Sequence, residues 1–193
     1  MIALDLHIST FLIVYFIIVL FFFLCQRKRK HKFHPYYTII ILYFLLLFKV
    51  TICPITYVRA EYRDILNQEN VLALSIQFIP FKTFFDTIRS GTWGLQLLGN
   101  LILLSPLPIL FSIKGNKICS SKKMFAFGIS ISMSIEILQF LINVIGHFPT
   151  HIVDIDDIIL NVLGIEIGIL ISKFMQRCGL LDKLNNMLII NNS

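Results

Sequence analysis

The chain is 193 residues long, with 56% hydrophobic and 15% charged residues and a mean hydropathy of +0.81. Soluble domains carry about 25% charged residues, which argues against an ordinary cytosolic enzyme, and one polytopic membrane unit is expected. With 18 Phe against 9 Gly and 6 Pro, the chain is not collagen-like or disordered.

A helical span needs about 20 apolar residues. Taken in chain order, five segments qualify: Leu6–Cys25, Tyr36–Val58, Trp93–Ile113, Met124–Ile145 and Asp157–Phe174. Backbone groups in lipid must be satisfied internally. The unbroken apolar runs therefore predict an all-α bundle of five transmembrane helices rather than a barrel. The first segment is not a cleaved signal. A signal places its positive charge before the apolar run, whereas here Asp5 precedes it and Arg27, Lys28, Arg29, Lys30 and Lys32 follow.

Orientation follows from the basic loops, which favour the cytoplasm. The 26–35 loop is basic, as is the 114–123 loop with Lys114, Lys117, Lys122 and Lys123. The tail carries Arg177 and Lys183, with Lys173 at its edge. The 146–156 loop has no Lys or Arg, and the basic residues of the 59–92 loop are balanced by acidic ones. All of this fits an N-terminus outside and a C-terminus inside. The net charge of +6 then sits against an anionic leaflet, and QRKRKHK is a topology signal, with no nucleic acid expected as a partner. The expected organisation is a two-helix segment over 1–58, an extracytoplasmic loop over 59–92, a three-helix core over 93–174 and a cytoplasmic tail over 175–193.

The cysteines, Cys25, Cys53, Cys119 and Cys178, show no CxxC or Cys/His spacing. No disulfide framework, metal site or cofactor is expected. Residues 59–70 read as a solvated stretch. From Pro80 onward, Phe81, Phe85 and Ile88 recur at helical spacing after Phe78, with Lys82, Asp86 and Arg89 on other faces. This predicts a short helix lying on the outer membrane surface or packing on the bundle, ended by Gly91 and followed by Trp93 as an interfacial anchor.

Strongly polar residues inside spans are costly, about 2.5–3.5 kcal/mol for a central charge on an insertion scale. The fourth span places Ser132, Glu136, Gln139 and Asn143 at steps of four, three and four, on one helical face. The fifth continues Asp154, Asp157 and Asn161 into Gly164 and Gly168, and the third adds Gln96 and Asn100. Carboxylates at a helix N-terminus suit the helix dipole, and glycines allow close helix approach. Depth counted at 1.5 Å per residue puts Asn100 about 10 Å from the outer end of its span. The three helices are thus expected to bring their amides and carboxylates to one outer pocket. The alternative is that the polar groups only bond the helices together, at roughly 0.6 kcal/mol each. Lys49 and Glu166 lie off this face and are expected to pair with each other, or Lys49 snorkels outward.

The order of these residues resembles the VanZ-like family of membrane proteins. The matching pieces are QFIPF (Gln77 to Phe81), NLILLSP (Asn100 to Pro106), SIEILQF with Glu136 and Gln139, and DIDDIILNVLG (Asp154 to Gly164). Their order and spacing agree over residues 75–175. Leu104 stands where the family usually has Phe, and Pro108 where it has Gly. His151 replaces an Arg, which makes anion binding at that corner conditional on protonation. The resemblance implies a bacterial cell-membrane protein of the cell envelope. The family's namesake is linked to low-level resistance to the glycopeptide antibiotic teicoplanin.

Two functions follow. In the first, the pocket binds a lipid-linked envelope precursor or a lipophilic glycopeptide through Asn100, Glu136, Gln139, Asp154, Asp157 and Asn161. In the second, an intramembrane enzyme acts on an envelope lipid with Glu136 as general base, and Asp154 and Asp157 are available to a divalent cation. His147 and His151 are separated by Pro149, which disfavours a helical metal pair. A transporter is disfavoured by the lack of an inverted repeat.

Overall fold

The computed structural model describes residues 2–4, 7–28, 34–58, 75–91, 93–115 and 121–190. The stretch 59–70, Arg29, Lys30, Lys32, Lys117, Cys119 and the side chains of Lys28, Trp93 and Gln96 lie outside the described residues. The described chain runs β1 (Ile2–Leu4), α1 (Ile8–Lys28), α2 (Pro35–Ile52), β2 (Ile55–Tyr57) and β3 (Ile76–Gln77). It continues through α3 (Lys82–Ser90), α4 (Trp93–Leu103), α5 (Pro106–Gly115), α6 (Ser121–Gly146), β4 (Val153–Asp154), α7 (Ile155–Arg177) and α8 (Leu180–Asn185). A π-helical turn follows at Asn186–Ile190. Five stretches are long and apolar enough to cross a membrane: α1, α2, α4 with α5, α6 and α7.

Two spans differ from expectation, each because of proline. The second ends at Ile52, not Val58, since Pro54 holds Cys53 in an extended conformation and the residue before proline disfavours helix. Residues 55–57 then pair antiparallel with 2–4. The third is broken at Leu104 and Ser105, because Pro106 has no N–H to continue the ladder. Freed carbonyls find other donors. The Ser105 N–H bonds Ile102 O at 3.2 Å, and the Tyr43 hydroxyl of α2 donates to Leu103 O at 3.1 Å. The Tyr36 hydroxyl reaches Leu110 O at 2.8 Å. Tyrosines on α2 thus clamp both halves of the broken helix.

Packing centres on α7, which is covered by α4, α5 and α6. Leu47, Leu104, Leu107, Met124, Ile135, Ile165 and Ile169 form the main buried cluster. Lipid is as apolar as these side chains, so close van der Waals packing holds the helices. Gly164 faces Leu101 O and Gly168 faces Ser105 O, each without room for a Cβ. By contrast α1 is apolar all round, buries Phe11 and turns Ile13, Phe16, Ile17, Leu20 and Phe21 outward. Such a helix belongs in lipid.

The expected Lys49–Glu166 pair is corrected. Lys49 Nζ lies over the Phe11 ring, 5.8 Å from its centroid. Glu166 is exposed and lines a different cavity with Ser121, Lys122, Phe125 and Lys173, toward the other end of the bundle. The offset of Glu166 from the polar face was real, but it aims the side chain at the start of α6.

Part of the tail packs against the bundle. Leu181 of α8 joins Tyr36 and Ile113 in a second buried cluster, and Asn185 Nδ2 donates to Ile113 O at 2.7 Å. Leu181 is 1% exposed and Leu180 is 42% exposed. Leu181→Ala is expected to cost about 2–5 kcal/mol, as buried leucine truncations do. Leu180→Ala should stay within about 0.5 kcal/mol. Thermal unfolding of both variants in detergent checks this, and equal losses would place the tail off the bundle.

Candidate functional site

The polar stripe of α6 is a seam that reaches four partners. Ser132 Oγ accepts from Asn161 Nδ2 of α7 at 3.0 Å. Glu136 Oε2 accepts from the Asp154 N–H of β4 at 3.0 Å. Gln139 Nε2 donates to Thr51 O of α2 at 2.8 Å. Asn143 holds the His151 backbone from both sides, its Nδ2 donating to His151 O at 2.6 Å and its Oδ1 accepting from the His151 N–H at 3.1 Å.

The last carbonyls of a helix lack intrahelical donors. At the end of α2, Gln139 satisfies Thr51, and the His151 Nε2–H satisfies Ile52 O at 3.1 Å. His151 is therefore engaged in closing α2. It does not line the polar cavity described below.

The acidic run divides its labour. Asp154 is the N-cap of α7, with its side chain accepting from the Asp156 N–H at 2.9 Å. Burial raises the Asp154 carboxyl above its ordinary pKa, while bonds from the Thr83 hydroxyl and the Asp156 N–H act to lower it. Asp156 caps α3 from a distance. Its carboxylate accepts from the Phe81 N–H at 2.6 Å and the Phe84 N–H at 3.1 Å. Asp157 turns into the bundle and accepts from Asn100 Nδ2.

Two short strands place this run. Ile76 and Gln77 pair in parallel with Val153 and Asp154. They anchor the segment that leads to α3, whose first residue is Lys82 rather than Pro80. Gly91 closes α3 in the left-handed region, φ 74°, which glycine adopts without strain. Phe78, Ile79, Phe81, Phe85 and Ile88 remain exposed, an apolar face of the kind that enters an interface.

One cavity of about 210 Å³ lies between α2, α4, α6 and α7. Its lining includes Asn100, Glu136, Gln139, Asp157 and Asn161, with Thr51, Val50 and Gly99 beside them. Five of the six residues singled out from the sequence thus surround one space. The sixth, Asp154, is outside that lining, because its carboxyl is spent on capping α7. Asp154 and Asp157 thus hold different partners, the Asp156 N–H and Asn100 Nδ2. Among the described residues, no group of three or more His, Cys, Asp or Glu is placed to hold a metal ion. Ser132 and Asn143 are buried supports. Thr51 and Val50 were missed. The signal for them was a polar residue at the end of a span just ahead of Cys53–Pro54.

The sequence model of the family described as VanZ/LLP1 matches residues 40–176. The chain belongs to the VanZ/LLP1 family. The match contains every cavity-lining residue and ends one residue short of the end of α7, while α1 lies outside it. The matched part thus contains the main buried cluster around α7. Comparison with curated proteins and with solved structures gives no match.

The cavity's unmet bonds give it chemical character. Gln139 Oε1 and Asn161 Oδ1 are buried without a hydrogen-bond partner among the described residues. A buried unsatisfied oxygen costs about 1–3 kcal/mol, and Asn161 is only 1% exposed.

Proposed function

We propose that this VanZ/LLP1-family protein is a binding protein of the bacterial cell envelope. Its cavity takes the polar part of an amphiphile whose apolar part stays in the membrane. The observation that carries this reading is the set of buried, unpartnered amide oxygens beside Glu136 and Asp157. A volume of about 210 Å³ is below the roughly 300–1,000 Å³ of pockets that enclose a whole drug-sized ligand, so it suits a head group. The exposed aromatic face of α3 supports contact with lipid near the same end of the bundle.

The basic residues Lys114, Lys122, Lys123, Lys173 and Arg177 cluster at the opposite end of the helices from the cavity. By the positive-inside rule this supports a cavity on the extracytoplasmic side, reached from the outer leaflet. A lipid-linked envelope precursor or a lipophilic glycopeptide such as teicoplanin has the required amphiphilic form.

The test is purification in mild detergent, native mass spectrometry for retained lipid, and incubation with labelled envelope lipids with and without Mg²⁺. Stoichiometric retention without turnover is expected. Glu136→Gln and Asp157→Asn keep hydrogen-bonding oxygens while removing charge, and each should lower retention at least tenfold without loss of fold. Turnover abolished by Glu136→Gln would instead favour an intramembrane enzyme with Glu136 as general base. Retention unchanged in both variants would reject the cavity as the site.

A further inference from the structure

The binding reading leaves the ligand's chemistry open, and the donor and acceptor inventory of the cavity narrows it. Each side-chain amide in the lining has one of its two N–H groups engaged. Asn100 Nδ2 is on Asp157, Gln139 Nε2 is on Thr51 O, and Asn161 Nδ2 is on Ser132 Oγ. The Thr51 hydroxyl donates to Leu47 O at 2.8 Å. The oxygens left over are Gln139 Oε1 and Asn161 Oδ1, and they share the lining with the carboxylates of Glu136 and Asp157. The Gln139 orientation is fixed by its partner, because a backbone carbonyl can only accept. No Lys, Arg or His occurs in the described lining. The cavity therefore holds two unsatisfied acceptor oxygens and two carboxyl groups, with no cationic side chain in its described lining.

Resting on the reading above, we propose that the group held there is a primary ammonium, carried either by an aminated lipid head group or by a small free amine. An ammonium has three donors and no acceptor, which complements this inventory. Two neighbouring carboxylates buried in low dielectric repel each other and lose hydration, and a cationic ligand offsets both effects. A phosphate or a carboxylate would find no cationic side chain in the described lining and would face two carboxyl groups.

The chain offers an internal check. Gln139→Lys would place an ammonium on the lining while keeping a donor for Thr51 O. The tethered amine should compete with the ligand, as a built-in occupant.

The experiment uses the full chain in nanodiscs and in detergent. The lipid probes are phosphatidylethanolamine, its N-acetylated form with the amine capped, and phosphatidylglycerol, read by native mass spectrometry. Free ethanolamine is the soluble probe, read by competition and thermal shift. Phosphatidylethanolamine is expected to be retained at least tenfold more than the N-acetylated lipid. That preference should disappear in Gln139→Lys, in a protein that melts no lower than the wild type. Protection by free ethanolamine without lipid preference would keep the ammonium and assign the free amine as its source. Equal retention of the capped lipid and phosphatidylethanolamine, lowered alike by Glu136→Gln, would overturn the ammonium and leave the binding site standing. Amine preference that survives Gln139→Lys would move the ammonium out of this cavity. If no probe is retained in a manner sensitive to Glu136→Gln, the binding reading falls together with the inference.

Discussion

Gly164→Ala and Gly168→Ala are expected to be among the most damaging single-methyl changes in the bundle. A Cβ at 164 would lie inside the contact distance of Leu101 O, and one at 168 would collide with Ser105 O and stand 3.0 Å from Pro108 Cδ. Leu101 and Ser105 belong to the backbone around the break in the third span, so neither oxygen can swing away as a side-chain tip can. To admit the methyl, α7 must move off α4 and α5, and the close packing that substitutes for hydrophobic pressure in lipid is lost along the whole seam. Alanine favours an exposed soluble helix over glycine by about 1 kcal/mol, and here overpacking outweighs that gain. Core overpacking typically costs about 1–3 kcal/mol, and a collision with backbone belongs at or above the top of that range. At 2–4 °C per kcal/mol for chains of this size, each variant should melt on the order of 10 °C lower. Gly128 supplies the control. Its added Cβ would meet the end of the Ile165 side chain, which can change rotamer, so Gly128→Ala should be distinctly milder. Thermal unfolding of the three variants in one detergent tests the ranking. Equal melting of Gly164→Ala and Gly128→Ala would show that α7 does not need its close approach.

How much of this was legible beforehand depends on the kind of signal each residue carries. The spans were legible because apolar length is a one-dimensional property. So was the polar face of α6, since Ser132, Glu136, Gln139 and Asn143 repeat at the helical period. Their partners were not legible, because those depend on which helices become neighbours. Gln139 meets a backbone carbonyl of α2, 88 positions away, and nothing in the sequence near Thr51 announces that. Pro106 was visible inside the third segment, but hydropathy alone ran through it. Tyr36 and Tyr43 looked like ordinary apolar bulk until their hydroxyls were found on carbonyls of the broken helix. The acidic run was the hardest to read. Asp154, Asp156 and Asp157 have similar chemistry and adjacent positions, yet helix geometry sends one to its own N-terminus, one to another helix and one into the cavity.

That division yields the second large effect. Asp156→Ala should release α3 from the bundle and leave the packing of the five spans nearly intact. The Asp156 carboxylate accepts two backbone N–H groups, from Phe81 and Phe84. No side chain of α3 caps its own start, because its N-cap is Phe81, at φ 63°. A helix start without a capping acceptor loses about 0.5–2 kcal/mol, and hydrogen bonds to a charged group contribute about 1.5–3 kcal/mol. For the nine residues of α3, that sum decides whether the helix is held. Asp156→Asn keeps one acceptor oxygen and should fall between the wild type and Asp156→Ala. Hydrogen exchange reads this directly. In Asp156→Ala the Phe81 and Phe84 amides should exchange at least tenfold faster, while amides near Ile165 and Ile169 keep their protection. Cleavage at Lys82 and Arg89 by trypsin should rise in parallel. Unchanged exchange at Phe81 and Phe84 would mean that the membrane interface, not Asp156, holds the aromatic helix. Asp157 is the next residue in the same turn, so the contact that holds this helix adjoins a carboxylate of the cavity. Release of α3 should therefore lower ligand retention in Asp156→Ala even though the cavity lining itself is unaltered.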